Sequence, residues 1–291
     1  MLLKNAIDAN KIIRPKNVSK FVFVCGGNKN KTEISERRKA LLKFASHHLP
    51  HNKFFLAERV FEFLQAEGDN GNLIDIENKI SKFSDYIIIV LESPSSFAEL
   101  GAFSHQELRS KLIVINDKKF EHEKSFINRG PIKAIHEKVG KERIISYPMH
   151  NDGLMNLDGI GFSFAPLYEI LKEPLTQKQE SLSSDSVNPS KSFDRDSVRF
   201  IHDLIFMTGP ILHTEIIEVL KFLFGKNEYK PVLQHLGMLG AFDAIKRDEK
   251  TKLYQSKLEE PFLRYKFDME EVSSAFRNYI LRHRPQRYYG T

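Results

Sequence analysis

The sequence has a single cysteine, Cys25, among its 291 residues. It therefore excludes an internal disulfide and a zinc site built from several cysteines. No apolar run approaches the roughly 20 residues that a membrane-spanning helix needs, so we expect no membrane contact. The first residues lack a long apolar stretch with a small-residue cleavage site, so we expect no secretory signal and a cytoplasmic protein. The eleven histidines have no metal-ligand spacing with acidic residues, and we predict neither a metal site nor a cofactor.

The charge is only mildly unbalanced. The 44 lysines and arginines exceed the 38 aspartates and glutamates, which leaves a net charge of +6. This excess is compatible with a nucleic-acid partner, but it is also common in proteins that never contact nucleic acid. The length, with 41% hydrophobic residues, is sufficient for two domains with apolar cores.

Strand-like and helical segments alternate over the first half of the chain. The apolar run at residues 85–91 has no period-two alternation, which is typical of a buried parallel strand. Further strands are predicted at 21–25, 53–56, 112–115 and 143–146, and helices at 32–48, 57–66, 73–83, 95–109 and 131–139. This alternation predicts an α/β domain over residues 20–176 with a doubly wound parallel sheet, preceded by an N-terminal arm at 1–19.

The second half of the chain has a different pattern. Low hydrophobicity and many serines at residues 177–192 predict a flexible linker. The remainder, 193–291, is predicted to contain helices at 197–207, 213–224 and 230–239, a charged strand-like ribbon at 243–257 and a last helix at 270–282. This order predicts a smaller C-terminal winged helix-turn-helix domain.

Two glutamates follow the predicted strand at 85–91. Glu92 comes directly after the strand, and Glu99 lies in the first turns of the next helix. Ligands of open α/β sheets bind beyond the carboxyl ends of the strands, so both acids are candidate catalytic residues. The helix dipole favours an ionised carboxylate near a helix start, and such a group could attack an anomeric carbon. The alternative is that Glu99 only caps its helix.

Several roles are open to Glu92. It could protonate a departing base, orient Glu99 or bind ribose hydroxyls. Two acids at one site have separated pKa values, which suits the pairing of an acid with a nucleophile. Alternatively, Glu92 only accepts hydrogen bonds from loop amides.

The candidate substrate-binding residues follow two of the predicted strands: Gly26, Gly27, Asn28, Ser93, Ser95 and Ser96. Glycines after the first strand let a ligand approach the backbone. The serines could donate hydrogen bonds to a sugar or phosphate at the helix N-terminus, or one of them could be the N-cap. Arg37 and Arg38, on the helix that follows these glycines, are interpreted as a phosphate contact or as a solvated face.

The candidate nucleic-acid contacts are basic: Lys246, Arg247, Lys250 and Lys252 in the predicted wing, and Arg282, Arg284 and Arg287 in the C-terminal tail. These side chains would contact phosphates. Neighbouring acidic residues offset much of their charge, so the alternative is a domain that docks against protein.

Residues 23–27, 85–104 and 124–131 together resemble the effector proteins of type II bacterial retrons. Those effectors look like a nucleoside 2-deoxyribosyltransferase domain joined to a winged-helix DNA-binding domain. The resemblance covers most of the chain. It is specific in the first domain and rests on architecture after residue 192.

This resemblance implies an activity and its residues. Glu99, followed by Leu100 and Gly101, would be the nucleophile toward C1′ of the sugar. Glu92 would be the assisting acid, at a position where such transferases usually carry aspartate. The implied enzyme is an N-glycosidase or (deoxy)ribosyltransferase that acts on a nucleotide, NAD or nucleic acid through a covalent glutamyl intermediate.

The resemblance also implies partners. Retron effectors work with a reverse transcriptase and with msDNA, its RNA-linked single-stranded DNA, which hold the toxic effector inactive until phage infection. Related transferases are usually homo-oligomers, and a partner complex could take the place of that assembly. The alternative function is a nucleotide-sensing, DNA-binding regulatory module without catalysis.

Overall fold

The computed structural model describes residues 1–66, 72–105, 107–191 and 193–285. These residues form two compact units. The sheet unit comprises the described residues of Ser19–Ala57 and Gly71–Leu175, and the helical unit comprises those of Met1–Val18, Glu58–Asn70 and Thr176–Thr291. Within the described ranges, no helix is long and apolar enough to cross a membrane.

The α-helices are α1 (Leu2–Asp8), α2 (Glu36–His48), α3 (Ala57–Ala66), α4 (Leu73–Phe83), α5 (Pro94–Phe103), α6 (Lys133–Val139), α7 (Phe164–Leu171), α8 (Ser184–Val187), α9 (Arg195–Thr208), α10 (His213–Phe224), α11 (Val232–Ala241) and α12 (Met269–His283). The strands are β1 (Ile12–Arg14), β2 (Asn17–Val18), β3 (Phe21–Cys25), β4 (Lys53–Phe55), β5 (Tyr86–Val90), β6 (Leu112–Asp117), β7 (Ile144–Tyr147), β8 (Leu175–Thr176), β9 (Glu180–Leu182), β10 (Ile245–Arg247), β11 (Tyr254–Ser256) and β12 (Arg264–Tyr265).

The sheet unit contains a five-stranded parallel sheet in the order β4-β3-β5-β6-β7. The prediction of a doubly wound α/β fold is confirmed. The central strand, β5, pairs with β3 on one side and with β6 on the other. All five residues of β3 are buried, as are all those of β5 except Tyr86. Helices cover both faces of the sheet, which explains why these strands are almost continuously apolar.

Alternate residues of the central strands point to opposite faces of the sheet. Val24, Ile88 and Val90 lie in one apolar core with residues of α2 and α7. On the other face, the ring of Phe23 meets that of Phe103 in α5. The two faces therefore place α2 and α5 on opposite sides of the central strand.

Helix α2 begins at Glu36, four residues later than the sequence predicts. The side chain of Asn30 accepts hydrogen bonds from the backbone N–H groups of Thr32 and Glu33, which hold this segment in a turn. Ser35 is the N-cap, and its hydroxyl accepts a hydrogen bond from the N–H of Arg38. The turn that Asn30 holds thus occupies the residues where the periodicity predicted the first turn of the helix, because the Asn30 side chain competes for the backbone N–H groups.

The helical unit contains a small antiparallel sheet in the order β12-β1-β9. Strand β1 lies within the predicted N-terminal arm. The described part of the predicted linker, 177–191, contains β9 and α8, and β9 pairs with β1. The sequence-based domain bounds stay a prediction.

Three helices, α9, α10 and α11, are followed by the antiparallel hairpin β10–β11. Ile211, between α9 and α10, also forms an antiparallel bridge with Tyr254 of β11. This element order is the one expected of a winged helix-turn-helix, which stays a prediction. Lys246, Lys250 and Lys252 lie on or between the two hairpin strands.

A buried carboxylate, that of Asp203 in α9, fixes the chain that follows the hairpin. It accepts hydrogen bonds from the backbone N–H groups of Phe262 and Leu263, at 2.7 and 2.8 Å, and from the hydroxyl of Tyr265, at 3.0 Å. His202 Nδ1 lies 2.8 Å from the same carboxylate. Burial raises the pKa of Tyr265 well above its ordinary value, so the hydroxyl remains a donor.

Replacing Asp203 tests this network. Asp203→Asn turns an acceptor oxygen into a donor that faces backbone N–H groups, so we expect the free energy of unfolding to fall by about 2–3 kcal/mol. Tyr265→Phe removes one hydrogen bond and is expected to cost only about 1 kcal/mol. Denaturant unfolding of the purified variants measures both changes. Equal stability of Asp203→Asn and wild type would contradict the role assigned to this carboxylate.

Candidate active site

The carboxylate of Glu92 lies directly beyond the end of β5 and is fully buried. Its Oε1 accepts hydrogen bonds from the backbone N–H of Gly27, at 2.9 Å, and from the hydroxyl of Ser35, at 2.6 Å. Its Oε2 lies 3.2 Å from Nη1 of Arg37. Glu92 therefore joins the loop after β3 to the start of α2, with both of its oxygens acting as acceptors.

The glycines after β3 leave room for protein side chains. A Cβ at Gly26 would lie 2.9 Å from both Oε1 of Glu92 and Cδ of Arg38. A Cβ at Gly27 would lie 2.6 Å from Cδ2 of Leu154. Glycine is therefore required here so that Glu92, Arg38 and Leu154 can pack against the backbone. The predicted substrate-binding role of Gly26 and Gly27 stays a prediction.

Arg37 links Glu92 to a second buried carboxylate. Its Nε and Nη2 donate to Oδ2 of Asp158, at 2.9 and 2.6 Å, and Nη2 also donates to the carbonyl of His150, at 2.6 Å. A Cβ at Gly153 would lie 2.1 Å from Nη2, so this guanidinium lies directly against the loop after β7. The loop is thereby fixed to α2.

The pKa shifts in this cluster agree with its bonding. Burial alone would lower the pKa of Arg37, but the hydrogen bonds to Asp158 and Glu92 outweigh it and raise the pKa above its ordinary value. Burial alone would raise the pKa of Asp158, but the bonds from Arg37 and the His150 N–H lower it. Burial raises the pKa of Tyr147, whose hydroxyl donates to Oδ1 of Asp158 at 3.0 Å. Arg37 and Asp158 are therefore charged at neutral pH, and Tyr147 is protonated.

Arg38 is also buried. It donates to the carbonyl of Val24, at 3.0 Å, and to the side-chain oxygen of Asn28, at 3.1 Å. Only 3% of Arg37 and 1% of Arg38 is exposed, so the interpretation of these arginines as a solvated face is wrong. Asn28, predicted to bind substrate, orients Arg38 here.

The serines after Glu92 build the start of α5. Ser93 is the N-cap, and its hydroxyl accepts from the N–H of Ser96, while the hydroxyl of Ser96 accepts from the N–H of Ser93. This reciprocal pair is a capping box, and Pro94 occupies the first helical position. Ser95 is exposed, and its hydroxyl lies 2.9 Å from that of Ser93. These contacts agree with the N-cap alternative, and the substrate-binding role of the serines stays a prediction.

Glu99 lies in the second turn of α5, three residues after Ser96 and next to Leu100. Ser96, Leu100 and Phe103 are buried, so Glu99 is at the edge of the buried face of the helix. The residue is partly exposed, and its Oε2 atom is buried. Glu99 is thus held at the surface of the helix with one carboxylate oxygen inside the protein.

The structure brings Glu92 together with Gly26, Gly27, Ser93 and Ser96. The carboxylate of Glu92 faces α2 through Ser35 and Arg37, whereas Glu99 belongs to α5, which packs against the opposite face of the sheet. The two glutamates therefore have separate surroundings, although both lie near the carboxyl end of the central strand. Their catalytic roles stay predictions.

Sequence reasoning missed two carboxylates at the same edge. Asp158 lies on the loop after β7, and Asp117 ends β6 with only 4% exposure. Burial would raise the pKa of Asp117, but hydrogen bonds from Lys119 and from the Met149 N–H lower it. The rule that identified Glu92, an acid where a buried strand ends, would also have identified Asp117. Nothing in the spacing links Asp158 to Arg37.

The predicted nucleic-acid contacts divide into three groups. Lys246, Lys250, Lys252 and Arg282 are exposed. Arg247 is half-buried, with its guanidinium 5.9 Å from the ring centre of Tyr254, and Arg284 forms an ion pair with Glu215 of α10. Arg287 lies outside the described residues. The hairpin lysines and Arg282 are therefore accessible to solvent, and their contact with nucleic acid stays a prediction.

Helix α11 occupies the place of the recognition helix in the predicted winged helix, but it is covered by protein. Every residue from His235 to Ala241 is buried, and the helix has no lysine or arginine. A Cβ at Gly237 would lie 3.1 Å from Cδ2 of Leu64, and a Cβ at Gly240 would lie 2.3 Å from the Phe63 ring. Helix α3, which carries Phe63 and Leu64, therefore packs closely on the glycine face of α11. In this arrangement α11 offers no surface for reading DNA bases.

A family model and two proteins match this chain. Residues 34–247 match the family model described as STM3845 retron effector protein. A protein of Escherichia coli described as "Retron Ec73 putative ribosyltransferase/DNA-binding protein" is 42% identical over 294 residues, covering 98% of this chain and 92% of the relative. A second Escherichia coli protein, with the same description for retron Ec86, is 38% identical over 125 residues, covering 42% of this chain and 39% of the relative.

The Asp158–Arg37 pair predicts a pH-dependent stability. The lowered pKa of Asp158 means that its stabilisation is complete above the ordinary value of 3.8 and is lost as the pH falls through the lower pKa of the folded state. Asp158→Asn should therefore unfold at a lower temperature than wild type at neutral pH, by several degrees. The difference should narrow as the pH is lowered below 3.8, because wild type then loses the charge.

Glu137→Gln is the matched control, since Glu137 is an exposed carboxylate in the same unit. It should follow wild type at every pH. A stability difference between Asp158→Asn and wild type that does not change with pH would contradict an ionic role for Asp158.

Proposed function

The chain belongs to the STM3845 retron effector family, and from this membership and the geometry of the sheet unit we propose that it cleaves N-glycosidic bonds with Glu99 as nucleophile. The observation that carries the proposal is the position of Glu99. It lies on the helix that directly follows the central strand, at the edge of a parallel sheet where ligands bind. The relatives' descriptions as ribosyltransferases support the same class of reaction.

The proposed reaction has two steps. An oxygen of Glu99 attacks C1′ of the sugar, the bond from C1′ to the base nitrogen breaks, and its electron pair leaves with the base. Water or another acceptor then attacks C1′ of the glycosyl ester, loses a proton and releases the carboxylate. Water as the acceptor makes the enzyme an N-glycosidase, and a second nucleophile makes it a transferase.

The role that best fits Glu92 is positioning. Both of its oxygens accept hydrogen bonds from groups that have their own protons, namely the Gly27 N–H, the Ser35 hydroxyl and Arg37. A carboxylate with this bonding fixes the loop after β3, and both of its oxygens are already occupied by these donors. Asp117 and Asp158 have lowered pKa values, so they do not supply a proton to a departing base at neutral pH.

The bonding of these three carboxylates limits which bases can leave the sugar readily. A neutral purine or pyrimidine leaves C1′ slowly unless an acid protonates it. A base that already carries a positive charge, such as the nicotinamide of NAD, leaves as a neutral molecule and needs no acid. Among nucleotides, NAD and nucleic acids, we therefore favour NAD or another N-glycoside with a cationic base.

We place this activity in a retron. A toxic effector that consumes a nucleotide cofactor would arrest the infected cell, and a complex with reverse transcriptase and msDNA would hold it inactive until infection. The family membership and the relatives' description as DNA-binding proteins support this assignment. The exposed hairpin lysines supply charges that suit the phosphates of msDNA.

The competing function is a DNA-binding regulatory module without catalysis. The basic hairpin favours a nucleic-acid contact, but the covered helix α11 disfavours base-specific reading. We therefore propose that the helical unit contacts the nucleic-acid backbone through its hairpin, as an accessory to the enzyme.

Glu99→Gln tests the catalytic proposal. The amide cannot form the glycosyl ester, so we expect release of free base to fall roughly a thousandfold or more. The variant and wild type are incubated separately with NAD, deoxynucleotides and single-stranded DNA, and released bases are measured by mass spectrometry. We expect nicotinamide to be the main product of wild type.

Glu107→Gln is the control, because Glu107 is an exposed glutamate just beyond α5. It should release base at the wild-type rate, and both variants should unfold at the wild-type temperature. Full activity of a folded Glu99→Gln protein would exclude the proposed nucleophile. Faster release of neutral bases than of nicotinamide would exclude the proposed substrate class.

The hairpin contact predicts salt-dependent binding. In Lys246→Glu/Lys250→Glu/Lys252→Glu, affinity for single-stranded DNA should fall, and the slope of log affinity against log salt should decrease by about 2 because phosphate contacts are lost. Scrambling the DNA sequence should change the affinity little. Fluorescence anisotropy over a salt series measures these quantities.

Lys133→Glu/Lys138→Glu/Lys141→Glu changes the net charge equally, at exposed lysines of the sheet unit. This control should keep the wild-type salt slope. A strong preference for one DNA sequence, or an unchanged slope in the hairpin variant, would contradict backbone contact through the hairpin.

A further inference from the structure

Asn116 is a buried asparagine at the carboxyl end of β6. Only 3% of it is exposed, yet its side-chain amide makes no hydrogen bond to any described residue. The next residue, Asp117, differs in this respect, because its carboxylate accepts from the backbone N–H groups of Lys119 and Met149, at 3.1 and 3.3 Å. A buried amide without a partner lowers the stability of a folded chain. A ligand that binds here would therefore gain hydrogen bonds that the protein itself leaves unmade.

The side chain of Asn116 points to the face of the sheet that α5 covers. Ile113 and Ile115, on the same strand, belong to the apolar core with residues of α2 and α7. Side chains along a strand alternate between the two faces, so Asn116 points to the opposite face. Helix α5 packs on that face, where the ring of Phe103 meets that of Phe23. Asn116 and α5 are therefore on the same side of the sheet.

Glu99 lies toward the same end of the sheet as Asn116. The ring contact between α5 and β3 joins the last residue of the helix to the middle residue of the strand, so the earlier turns of α5, with Glu99, lie nearer to the carboxyl ends of the strands. Helix α5 joins β5 to β6, and a right-handed crossover packs its helix over the sheet beside the strands that it joins. The N–H of Leu91 donates to the carbonyl of Ile115, at 2.9 Å, so the two strands are paired up to the residue before Asn116. Glu99 and Asn116 thus share one face and one edge of the sheet.

We propose that Asn116 binds the 2′-hydroxyl of the ribose whose C1′ is attacked by Glu99, an inference that rests on the proposed function. A hydroxyl is both a donor and an acceptor, as the asparagine amide is, whereas a phosphate oxygen only accepts. The base leaves C1′ from the side opposite to the nucleophile, so a group beside Glu99 meets the sugar and not the base. Among the sugar hydroxyls, the one on C2′ is next to the reacting carbon.

This contact makes Asn116 a specificity-determining residue. A buried polar group that pairs with a substrate hydroxyl disfavours the analogue without that hydroxyl, because the group is then left unpaired. The amide of Asn116 therefore favours ribosides, such as NAD, over 2′-deoxyribosides.

Asn116→Leu tests the proposal, because it removes the amide and nearly keeps the size of the side chain. Release of nicotinamide is followed by mass spectrometry, and kcat/KM is measured for NAD and for its analogue with 2′-deoxyribose on the nicotinamide. For NAD, kcat/KM should fall about 10- to 100-fold relative to wild type, and for the deoxy analogue by less than about threefold. Comparing variant with wild type on each substrate cancels the different intrinsic lability of the two glycosidic bonds.

Thermal unfolding separates this role from a structural one. The amide of Asn116 has no partner to lose among the described residues, so Asn116→Leu should unfold at or above the wild-type temperature. Asn116→Ala also removes the amide, adds no bulk and should give the same substrate pattern. Asn78→Leu is the matched control, because it makes the same change at an exposed asparagine of α4. It should keep the wild-type kcat/KM for both substrates.

Binding to protein without the nucleophile separates this inference from the proposed catalysis. In the Glu99→Gln background, addition of Asn116→Leu should weaken the binding of NAD about tenfold in isothermal titration calorimetry and leave that of the deoxy analogue unchanged. Absence of base release by wild type, together with this loss of binding, would refute the catalysis and keep the contact with the hydroxyl.

Three results would overturn the contact. These are equal losses of kcat/KM for the two substrates, wild-type kcat/KM for NAD in both Asn116 variants, or unfolding of both variants several degrees below wild type. The last result would show that the amide has a partner in the free protein. Nicotinamide release by wild type in any of these cases would leave the proposed catalysis intact.

Discussion

The candidate site depends on the ion pairs that the guanidinium of Arg37 forms with Glu92 and Asp158. This guanidinium is almost completely buried and lies between the two buried carboxylates. Through Glu92 it fixes the loop after β3, and through Asp158 and the His150 carbonyl it fixes the loop after β7. An uncompensated charge in such a place costs several kcal/mol, so these groups are stable only as a set. The carboxyl edge of the sheet is therefore shaped by ionic contacts as well as by strand packing.

This bonding separates the acids at the edge into two kinds. Glu92, Asp117 and Asp158 are each buried against donors, whereas Glu99 is partly exposed on a separate helix. Under the proposed function, Glu99 attacks C1′ of a sugar whose base needs no protonation, while the buried carboxylates hold the surrounding loops. Glu92 accepts hydrogen bonds from the Gly27 N–H, the Ser35 hydroxyl and Arg37 together.

The parallel sheet was predictable from sequence because β3, β5 and β6 are short apolar runs separated by helical segments. The acids after β5 were predictable for the same reason, since strand ends in such sheets carry ligand sites. The arginine pair was not predictable, because charged residues on an amphipathic helix usually face water. The burial of Arg37 depends on Asp158, which is more than a hundred residues away and belongs to a loop with no periodic signal. The partners of a buried charge come from tertiary structure.

The helical unit has the element order of a DNA-binding module but a different distribution of surfaces. Gly237 and Gly240 let α3 pack against the helix that would otherwise read bases, so specific recognition of DNA is not available there. Exposed lysines lie on the hairpin instead, at Lys246, Lys250 and Lys252. Contact with nucleic acid through these side chains would be to phosphates, which are the same in every sequence. The arrangement of this unit therefore favours binding that is independent of base sequence over specific recognition.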